Sequence, residues 1–320
     1  MAKPGLRTGR RREVKAEDAV VRVENLTVRY GSKTACADIS LAIPRGSVYA
    51  LLGRNAAGKS SLVRCLVGQQ KPQSGGAFLF GRQVWSNRTQ AMKKVGVVPE
   101  EPDAPPEMTA KQLAAFCSRL YLGWDHESFA ARLTRFRIPW NDPFKNLSKG
   151  QKAMLLFSLA LAPHPELLVL DDPTVGLDAV ARKATLEDLV GDLADRAPTV
   201  LVATHDLQGI EGIADRVGIL KEGRLLLNTQ LEDLKSRYRK IRYLRKSDRA
   251  VTTPCAELES FAAVNVRWSS TGVETVVSDF DENRFERFRC SNEGHEAEAS
   301  PMSLEEIFVA VAGEETGGAS

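Results

Sequence analysis

The chain lacks any long apolar run. Its best stretch, residues 153–162, reaches only about half of the ~20 consecutive apolar residues that a membrane-spanning helix needs. The N-terminus also lacks the apolar segment of a secretory signal peptide. We therefore expect a chain that does not itself cross a membrane, so that a role in any membrane process requires a second, membrane-spanning protein.

Cysteine, histidine and net charge are also low. The 5 cysteines and 4 histidines are scattered, with no C-x-x-C pair and no metal-ligand spacing, which argues against a disulfide framework and predicts the reduced thiols of a cytosolic protein. A net charge of +3 is too close to balance to indicate nucleic-acid binding. The basic residues near the N-terminus predict either a solvated tail or a contact with anionic lipid or a partner.

What the chain does have is a phosphate-binding loop. Residues 53–61 read Gly-Arg-Asn-Ala-Ala-Gly-Lys-Ser-Ser and match G-x-x-x-x-G-K-[ST], between a predicted buried strand and a predicted helix. Glycines let backbone N–H groups approach phosphate oxygens, and the helix N-terminus adds positive potential. We expect Lys59 to reach the outer phosphates of a triphosphate and Ser60 to ligate Mg²⁺. The residues predicted to bind the nucleotide here are Gly53, Arg54, Asn55, Ala56, Ala57, Gly58, Lys59, Ser60 and Ser61.

A second informative site follows the apolar run at residues 167–170, which ends in two adjacent aspartates. Together with the apolar run at 199–203 and the helical pattern between them, it predicts neighbouring strands of a parallel sheet that is buried on both faces. Carboxylates at the end of such a strand lie at the sheet edge where ligands bind. We expect Asp171 to hold Mg²⁺ and Asp172 to be the catalytic residue that polarises the attacking water.

Residues 147–151 read Leu-Ser-Lys-Gly-Gln, and taken alone they indicate only a helix that is capped by Ser148. Their place between the phosphate loop and the acidic strand changes that interpretation. Over residues 20–235 or so, the chain resembles the nucleotide-binding subunits of ATP-binding cassette (ABC) transporters, with the motifs in the family's order. The resemblance implies that Ser148, Gly150 and Gln151 bind the ATP that is held by the phosphate loop of a second subunit.

The resemblance implies three more site residues. Asp178 would lie in the loop that crosses between subunits, His205 would be the catalytic switch residue at the γ-phosphate, and Tyr30 would stack on adenine. Each of them has a simpler alternative. His205 could be an ordinary surface or core histidine. Asp178 could merely cap the next helix, and Tyr30 could be a core residue on one face of a strand.

Three positions depart from the family pattern. Asp172 stands where Glu is usual, which draws the carboxylate back by about a bond length, and an error of ~1 Å can cost about a hundredfold in rate. Glu100 stands where Gln is usual; its carboxylate can still ligate Mg²⁺ and act in catalysis, but it adds negative charge beside a triphosphate. Ala56 stands where many members have Gly, which the loop tolerates if φ there stays negative.

Together, the pattern and the resemblance predict an α/β fold. It would have a P-loop NTPase core with a mostly parallel sheet, an antiparallel β subdomain, an α-helical subdomain at about residues 100–162 and a small C-terminal α+β appendage. The predicted units are a basic disordered arm (1–18), the ABC ATPase domain (19–238), an α+β accessory domain (239–312) and a disordered tail (313–320). The accessory domain would be regulatory, dimer-supporting or a passive extension.

The resemblance also implies a function. The chain would be an ATPase that uses ATP and Mg²⁺, dimerises around ATP with a second ABC chain as a homodimer, and drives a separate integral-membrane permease. It would be cytoplasmic and peripheral on the inner face of the cell membrane, and the Ser-Lys-Gly-Gln signature favours export. Two alternatives stay open: a nucleotide-gated regulatory subunit with weak hydrolysis, and a soluble non-transport ABC ATPase.

Overall fold

The computed structural model describes residues 18–121, 123–174, 177, 179–207, 209–244, 261–268, 272–290 and 297–313. The strands are β1 Ala19–Tyr30, β2 Lys33–Pro44, β3 Val48–Leu52, β4 Ser74–Leu79, β5 Arg82–Gln83, β6 Val95–Val98, β7 Leu167–Asp171, β8 Thr199–Thr204, β9 Arg216–Lys221, β10 Arg224–Gln230, β11 Arg239–Leu244, β12 Ala263–Trp268, β13 Gly272–Val277 and β14 Glu298–Pro301. The helices are α1 Lys59–Leu66, α2 Val84–Met92, α3 Ala110–Leu120, α4 His126–Arg135, α5 Lys149–Leu161, α6 Ala179–Arg196, α7 Leu231–Arg237, α8 Glu282–Arg289 and α9 Leu304–Ala312. The predicted arm and tail lie outside the described residues, apart from Asp18 and Gly313.

Continuous apolar runs build the central sheet, whose strand order is β10-β9-β3-β8-β7-β6. Strands β6, β7, β8, β3 and β9 run parallel to one another, and β10 pairs antiparallel with β9. Every residue of β3, β7 and β8 is buried, as expected for strands that are covered on both faces. The predicted α/β fold with a mostly parallel sheet is therefore confirmed, and the carboxyl ends of β3, β7 and β8 meet at one edge.

An antiparallel sheet, in the order β2-β1-β4-β5, lies against one face of the central sheet. Helix α1 is part of the core that these two sheets share. Strand β4 begins at Ser74, which pairs with Thr27 of β1, while Gly76 pairs with Glu24. The sequence did not predict α2, in which Val84 and Ala91 are the buried residues, too few to give a helical apolar pattern.

Helices α3, α4 and α5 form the predicted helical part and pack on the other face of the central sheet. Their N-caps, Thr109, Asp125 and Ser148, each accept a hydrogen bond from the backbone N–H three residues later. Such caps satisfy donors that the helix itself leaves free. Among the residues that the structure describes, no helix is both long enough and apolar enough to cross a bilayer.

Residues after α7 build a second, smaller unit. Its antiparallel sheet has the order β12-β13-β11-β14, and Phe285 and Phe288 of α8 pack with Tyr243 in a separate core. Helix α9 does not pack in this separate core. Its residues Leu304 and Ile307 are buried in the core that contains β9 of the main unit. The appendage is thus joined to the main unit by its last described helix, a contact that the sequence did not reveal.

Candidate functional site

The phosphate loop leaves the buried strand β3 at Gly53 and enters α1 at Lys59. The N–H of Gly53 donates to the Thr204 carbonyl of β8 at 3.4 Å, which ties the start of the loop to the neighbouring strand. Gly58 has φ +108°, and a Cβ there would lie 2.2 Å from the Ala35 carbonyl oxygen. A side chain at this position is therefore excluded, and the close backbone approach explains the second glycine of the motif.

Ala56 has a left-handed backbone, with φ +64°. The sequence allowed alanine here on condition that φ stays negative, and the structure does not meet that condition. In this region the Cβ of a non-glycine residue lies close to backbone oxygen, so the conformation is strained for alanine and not for glycine. Ala56 is also exposed, so its methyl group gains little from packing that could offset the strain.

Lys59 is buried, with 5% of its surface exposed, although it carries a charge. Its Nζ donates to the Gly53 carbonyl at 2.9 Å and lies 3.6 Å from Oδ2 of Asp172. A buried ammonium requires such partners, because desolvation alone would be costly. The lysine therefore lies inside the loop, where phosphate oxygens could replace its present acceptors.

Asp171 ends β7 and faces Ser60 of α1. The Ser60 hydroxyl donates to Oδ1 of Asp171 at 3.3 Å. Burial raises the pKa of Asp171 to about 6; the Ser60 hydrogen bond lowers it, while the negative charges of Asp172 and Glu100 raise it further. A hydroxyl and a carboxylate that converge in a region of excess negative charge are the oxygen ligands that Mg²⁺ prefers, so this donor set fits the ion.

Asp172 is in direct contact with His205, which follows β8. Oδ1 of Asp172 lies 2.8 Å from Nδ1 of the ring and accepts the backbone N–H of His205 at 3.0 Å. Asp172 is 4% exposed, whereas the His205 side chain is 42% exposed. The sequence placed these residues at one sheet edge but gave no sign that the carboxylate would bind the ring.

Comparison with known proteins identifies the family. A family model described as ABC transporter matches residues 36–175. The bacitracin transport ATP-binding protein BcrA of Bacillus licheniformis is 31% identical over 233 residues, which cover 72% of this chain and 76% of that protein. The chain belongs to the ATP-binding subunits of ABC transporters. The Nod factor export ATP-binding protein I of Burkholderia orbicola (strain AU 1054) is 35% identical to this ABC subunit over 212 residues, 64% of this chain and 69% of that protein.

A solved structure supports the same conclusion. An ATP-binding subunit of an ABC transporter superposes on this ABC subunit with a TM-score of 0.62 at 26% identity, covering 68% of this chain and 92% of that one. The predicted family, the P-loop NTPase fold and the ATP-binding, ATP-hydrolysing function are therefore confirmed. These findings favour the transport ATPase over the two alternatives that the sequence left open.

Two further predicted residues of the ABC subunit, Tyr30 and Glu100, are exposed. Tyr30 is 42% exposed at the end of β1, so it is not the core residue that the sequence allowed as an alternative. Glu100 is exposed in the bend after β6, and its charge contributes to the raised pKa of Asp171. Tyr30 is thus free to stack on a base, and Glu100 lies close enough to Asp171 to influence a metal held there.

The signature residues of the ABC subunit are held by local hydrogen bonds. Ser148 is exposed at the start of α5; its Oγ accepts the Gln151 N–H at 3.2 Å, while the Gln151 side chain accepts the Ser148 N–H at 3.0 Å. Gln151 also donates to the Arg137 carbonyl at 3.0 Å. Gly150 lies in the first turn of α5, between Ser148 and Gln151. Asp178 lies outside the described residues.

The sequence missed Asp206, which links the site to α6. Its Oδ2 accepts the Thr174 hydroxyl at 3.3 Å and pairs with Arg182 of α6 at 3.0 Å. Asp206 therefore connects Thr174, which follows β7, to Arg182 of α6 from the segment after β8. The position of Asp206 directly after His205 was the signal available in the sequence.

Proposed function

We propose that this ABC subunit binds Mg-ATP between the phosphate loop and the carboxyl ends of β7 and β8. Lys59 would exchange the Gly53 carbonyl for β- and γ-phosphate oxygens, and Ser60 with Asp171 would hold Mg²⁺. The ion supplies positive charge that offsets the negative charge of the phosphates during transfer. The observation that carries the proposal is the buried Lys59 ammonium, which lies within reach of Asp172 on one side and of the loop carbonyl on the other.

Tyr30 and Glu100 complete the same pocket in this proposal. Tyr30 would stack on the adenine ring, which its exposure permits. Glu100 would contact the ion directly or through water, and its charge would make the site depend on Mg²⁺ more strongly than a glutamine would. The phosphates would also contact the N–H groups of the first turn of α1, which have no partner within the helix.

A second copy of the chain would complete each site. Ser148, Gly150 and Gln151 would face the phosphates that the partner copy binds, and Asp178 would contact that copy. The exposed, capped start of α5 supports this arrangement, because a helix N-terminus attracts anions. A homodimer would therefore close around two ATP molecules and open after hydrolysis.

The transport partner in this proposal is an integral-membrane permease, which would hold the subunit at the inner face of the cell membrane. Export is supported by the relative that is named for Nod factor export. The contact with the permease would lie between Glu100 and Arg137, with Glu100 relaying the state of the nucleotide. Phe116 and Leu120, 57% and 55% exposed on α3, give this segment an apolar surface that a partner could cover.

Titration calorimetry with Mg-ATP tests the nucleotide site. The full chain should bind, Lys59→Ala should lose binding, and Lys71→Ala, which removes an exposed lysine after α1, should match the parent. Equal binding by all three proteins would contradict the proposal. The dimer is tested by measuring the ATPase rate per chain against protein concentration, since a rate that stays constant where light scattering detects only monomers would rule out shared sites.

A further inference from the structure

We propose that Lys221 is a positioning residue of the nucleotide site. Its side chain binds the end of α9, and its backbone belongs to the strand end that supports the phosphate loop, so this attachment of α9 raises the affinity for nucleotide. The inference rests on the proposed function, because it concerns the same ATP site. It gives the C-terminal unit, which the sequence left as regulatory, dimer-supporting or passive, a role in nucleotide binding.

The end of β9 supports the phosphate loop at two glycines. A Cβ at Gly53 would lie 2.8 Å from the Leu220 carbonyl oxygen, and a Cβ at Gly58 would lie 3.3 Å from Cδ2 of Leu220. Leu220 is fully buried, in the core that the central sheet shares with the antiparallel sheet. The loop backbone therefore packs directly against Leu220, and a displacement of Leu220 would displace the loop.

The turn after β9 makes a third contact with the loop. Glu222 and Gly223 connect β9 to β10, and both have positive φ, +50° and +75°, as a tight two-residue hairpin turn requires. The Gly223 N–H donates to the Ala57 carbonyl at 2.9 Å. The turn thus holds the loop just before α1 begins, where backbone N–H groups would contact phosphate oxygens.

Lys221 connects this strand end to α9. Successive side chains of a strand point to opposite faces, so Lys221 points away from the face on which Leu220 packs. Its Nζ donates to the Gly313 carbonyl at 3.0 Å. Gly313 closes α9, since its N–H donates to the Val309 carbonyl at 2.9 Å. One lysine therefore joins the last turn of α9 to the strand end that supports the loop.

Helix α9 contacts β9 on the face that Lys221 shares. Leu304, Ile307 and Ala312 are buried in the same core as Ile219. Ile219 and Lys221 are two residues apart in the strand, so their side chains point to the same face. The apolar contacts dock the helix on this face, and the hydrogen bond from Lys221 determines where the end of the helix lies.

Two states connect this geometry to nucleotide affinity: the end of α9 bound to Lys221, and the end of α9 detached from it. In the bound state the strand end is held on both faces, and the loop N–H groups keep the arrangement that phosphate oxygens need. In the detached state the loop must be ordered further when nucleotide binds, and that ordering lowers the affinity. The coupling is reciprocal, so nucleotide favours the bound state by the same factor.

Titration calorimetry with Mg-ADP on the full chain tests the role of Lys221, because Mg-ADP occupies the loop and is not consumed by hydrolysis. Lys221→Met keeps the apolar stem but removes the donor, and its Kd should rise about fivefold, the lower end of typical couplings. Lys221→Arg keeps a donor and should recover most of the parent's affinity. An unchanged Kd for Lys221→Met would overturn the proposal.

Lys240→Met is the matched control. Nζ of Lys240 lies 2.7 Å from Oε1 of Glu306, so this lysine also binds α9, but it joins the helix to β11 instead of β9. The control should keep the parent's Kd. Equal weakening by Lys221→Met and Lys240→Met would mean that any loosening of α9 affects the site, and Lys221 would then have no positioning role. Failure of the parent to bind Mg-ADP would instead reject the proposed function on which the inference rests.

A measurement on the parent chain covers the case in which the variants do not fold. Hydrogen exchange of the Gly313 amide should become about fivefold slower in saturating Mg-ADP, because the coupling acts in both directions. The Cys290 amide, which donates to the Glu286 carbonyl at 3.0 Å at the end of α8, is the internal control and should not change. Exchange at Gly313 that is independent of Mg-ADP, or equal slowing at both amides, would contradict the inference.

Discussion

The Glu211 carboxylate accepts the backbone N–H of Leu304, the first residue of α9, at 3.1 Å. The same carboxylate pairs with Lys235 of α7 at 2.8 Å. Glu211 lies between β8 and β9, in the segment that follows His205. The C-terminal unit is thus hydrogen-bonded to the stretch of chain that carries the histidine of the nucleotide site.

Replacing Glu211 with alanine should weaken this attachment. We expect a loss of about 1.5–3 kcal/mol in the free energy of unfolding, since hydrogen bonds to charged groups contribute about that much. Glu211→Gln keeps an acceptor and should lose less. Urea denaturation would measure both, with Glu232→Ala, an exposed glutamate of α7, as the control. A change no larger than that of the control would show that the contact does not hold the two units together.

The effect of Glu211 should also depend on pH. Burial alone would raise the pKa of Glu211, but the hydrogen bonds from Lys235 and from the Leu304 N–H outweigh it, and the pKa lies below its usual value. A depressed carboxyl pKa stabilises the fold above the unfolded-state pKa of about 4.3, and that stabilisation is lost as the pH falls through the folded-state pKa. The difference between the parent and Glu211→Ala should therefore shrink in acid.

Ala56→Gly should stabilise the nucleotide-free protein. Glycine relieves the left-handed backbone strain, which costs about 1–2 kcal/mol, but it also increases the freedom of the unfolded chain by about 0.4–1 kcal/mol. We expect a net gain of up to about 1 kcal/mol, seen as a higher melting temperature. Ala57→Gly, next in the loop but buried and without positive φ, should be destabilising instead. The same sign for both variants would argue against strain at Ala56.

Asp171→Asn should stabilise the nucleotide-free protein at neutral pH. The pKa of Asp171 is raised to about 6, so its ionisation destabilises the fold as the pH rises through that value. We expect the variant to exceed the parent by about 3 kcal/mol at most near pH 7.5, on the basis of about 1.36 kcal/mol per pKa unit. The gap should close below about pH 4, where the carboxyl is protonated in both the folded and unfolded states.

Urea titrations over this pH range would measure that gap. Asp142→Asn, at an exposed aspartate, is the control and should show no such pH-dependent gap. A constant difference between Asp171→Asn and the parent at all pH values would mean that ionisation of Asp171 does not destabilise the fold.

The pair formed by Arg132 of α4 and Asp188 of α6 should be important for stability. Nε of Arg132 lies 2.7 Å from Oδ2 of Asp188, and the two side chains are 9% and 11% exposed. Asp188→Ala removes the carboxylate that faces the buried Arg132, and we expect it to lose about 3–5 kcal/mol. Arg132→Ala should lose less, because Arg135 still pairs with Asp188. Arg135 pairs with Asp188 at 3.1 Å but is 43% exposed, so Arg135→Ala should lose less than about 1 kcal/mol. A double-mutant cycle by chemical denaturation measures the coupling, and additive losses would contradict it.

The main sheet could be predicted because its strands are unbroken apolar runs. Residues 167–170 and 199–203 have no polar interruption, and a strand of that kind requires cover on both faces. The phosphate loop could be predicted because its glycines and lysine have a fixed spacing in the chain. Helix α2 and strand β14 were missed because each buries few apolar side chains and therefore leaves no periodic pattern.

The contacts within the site could be predicted only in part. The sequence placed Asp171, Asp172 and His205 at one sheet edge, because all three follow parallel strands. It could not show that the carboxylate of Asp172 holds the His205 ring, since that depends on side-chain length and on φ +44° at Asp172. The left-handed backbone at Ala56 was likewise not predicted, because alanine as a residue type favours negative φ.

The docking of α9 has a consequence for synthesis on the ribosome. Leu304 and Ile307 share a core with Leu231 and Leu234, which precede them by roughly 70 residues. At a translation rate of ~5–20 residues per second, that apolar surface emerges several seconds before the helix that covers it. During that interval the ATPase portion of the nascent chain is nearly complete, but this apolar surface is still exposed to solvent. Chaperones that bind apolar segments would therefore bind most readily at this stage.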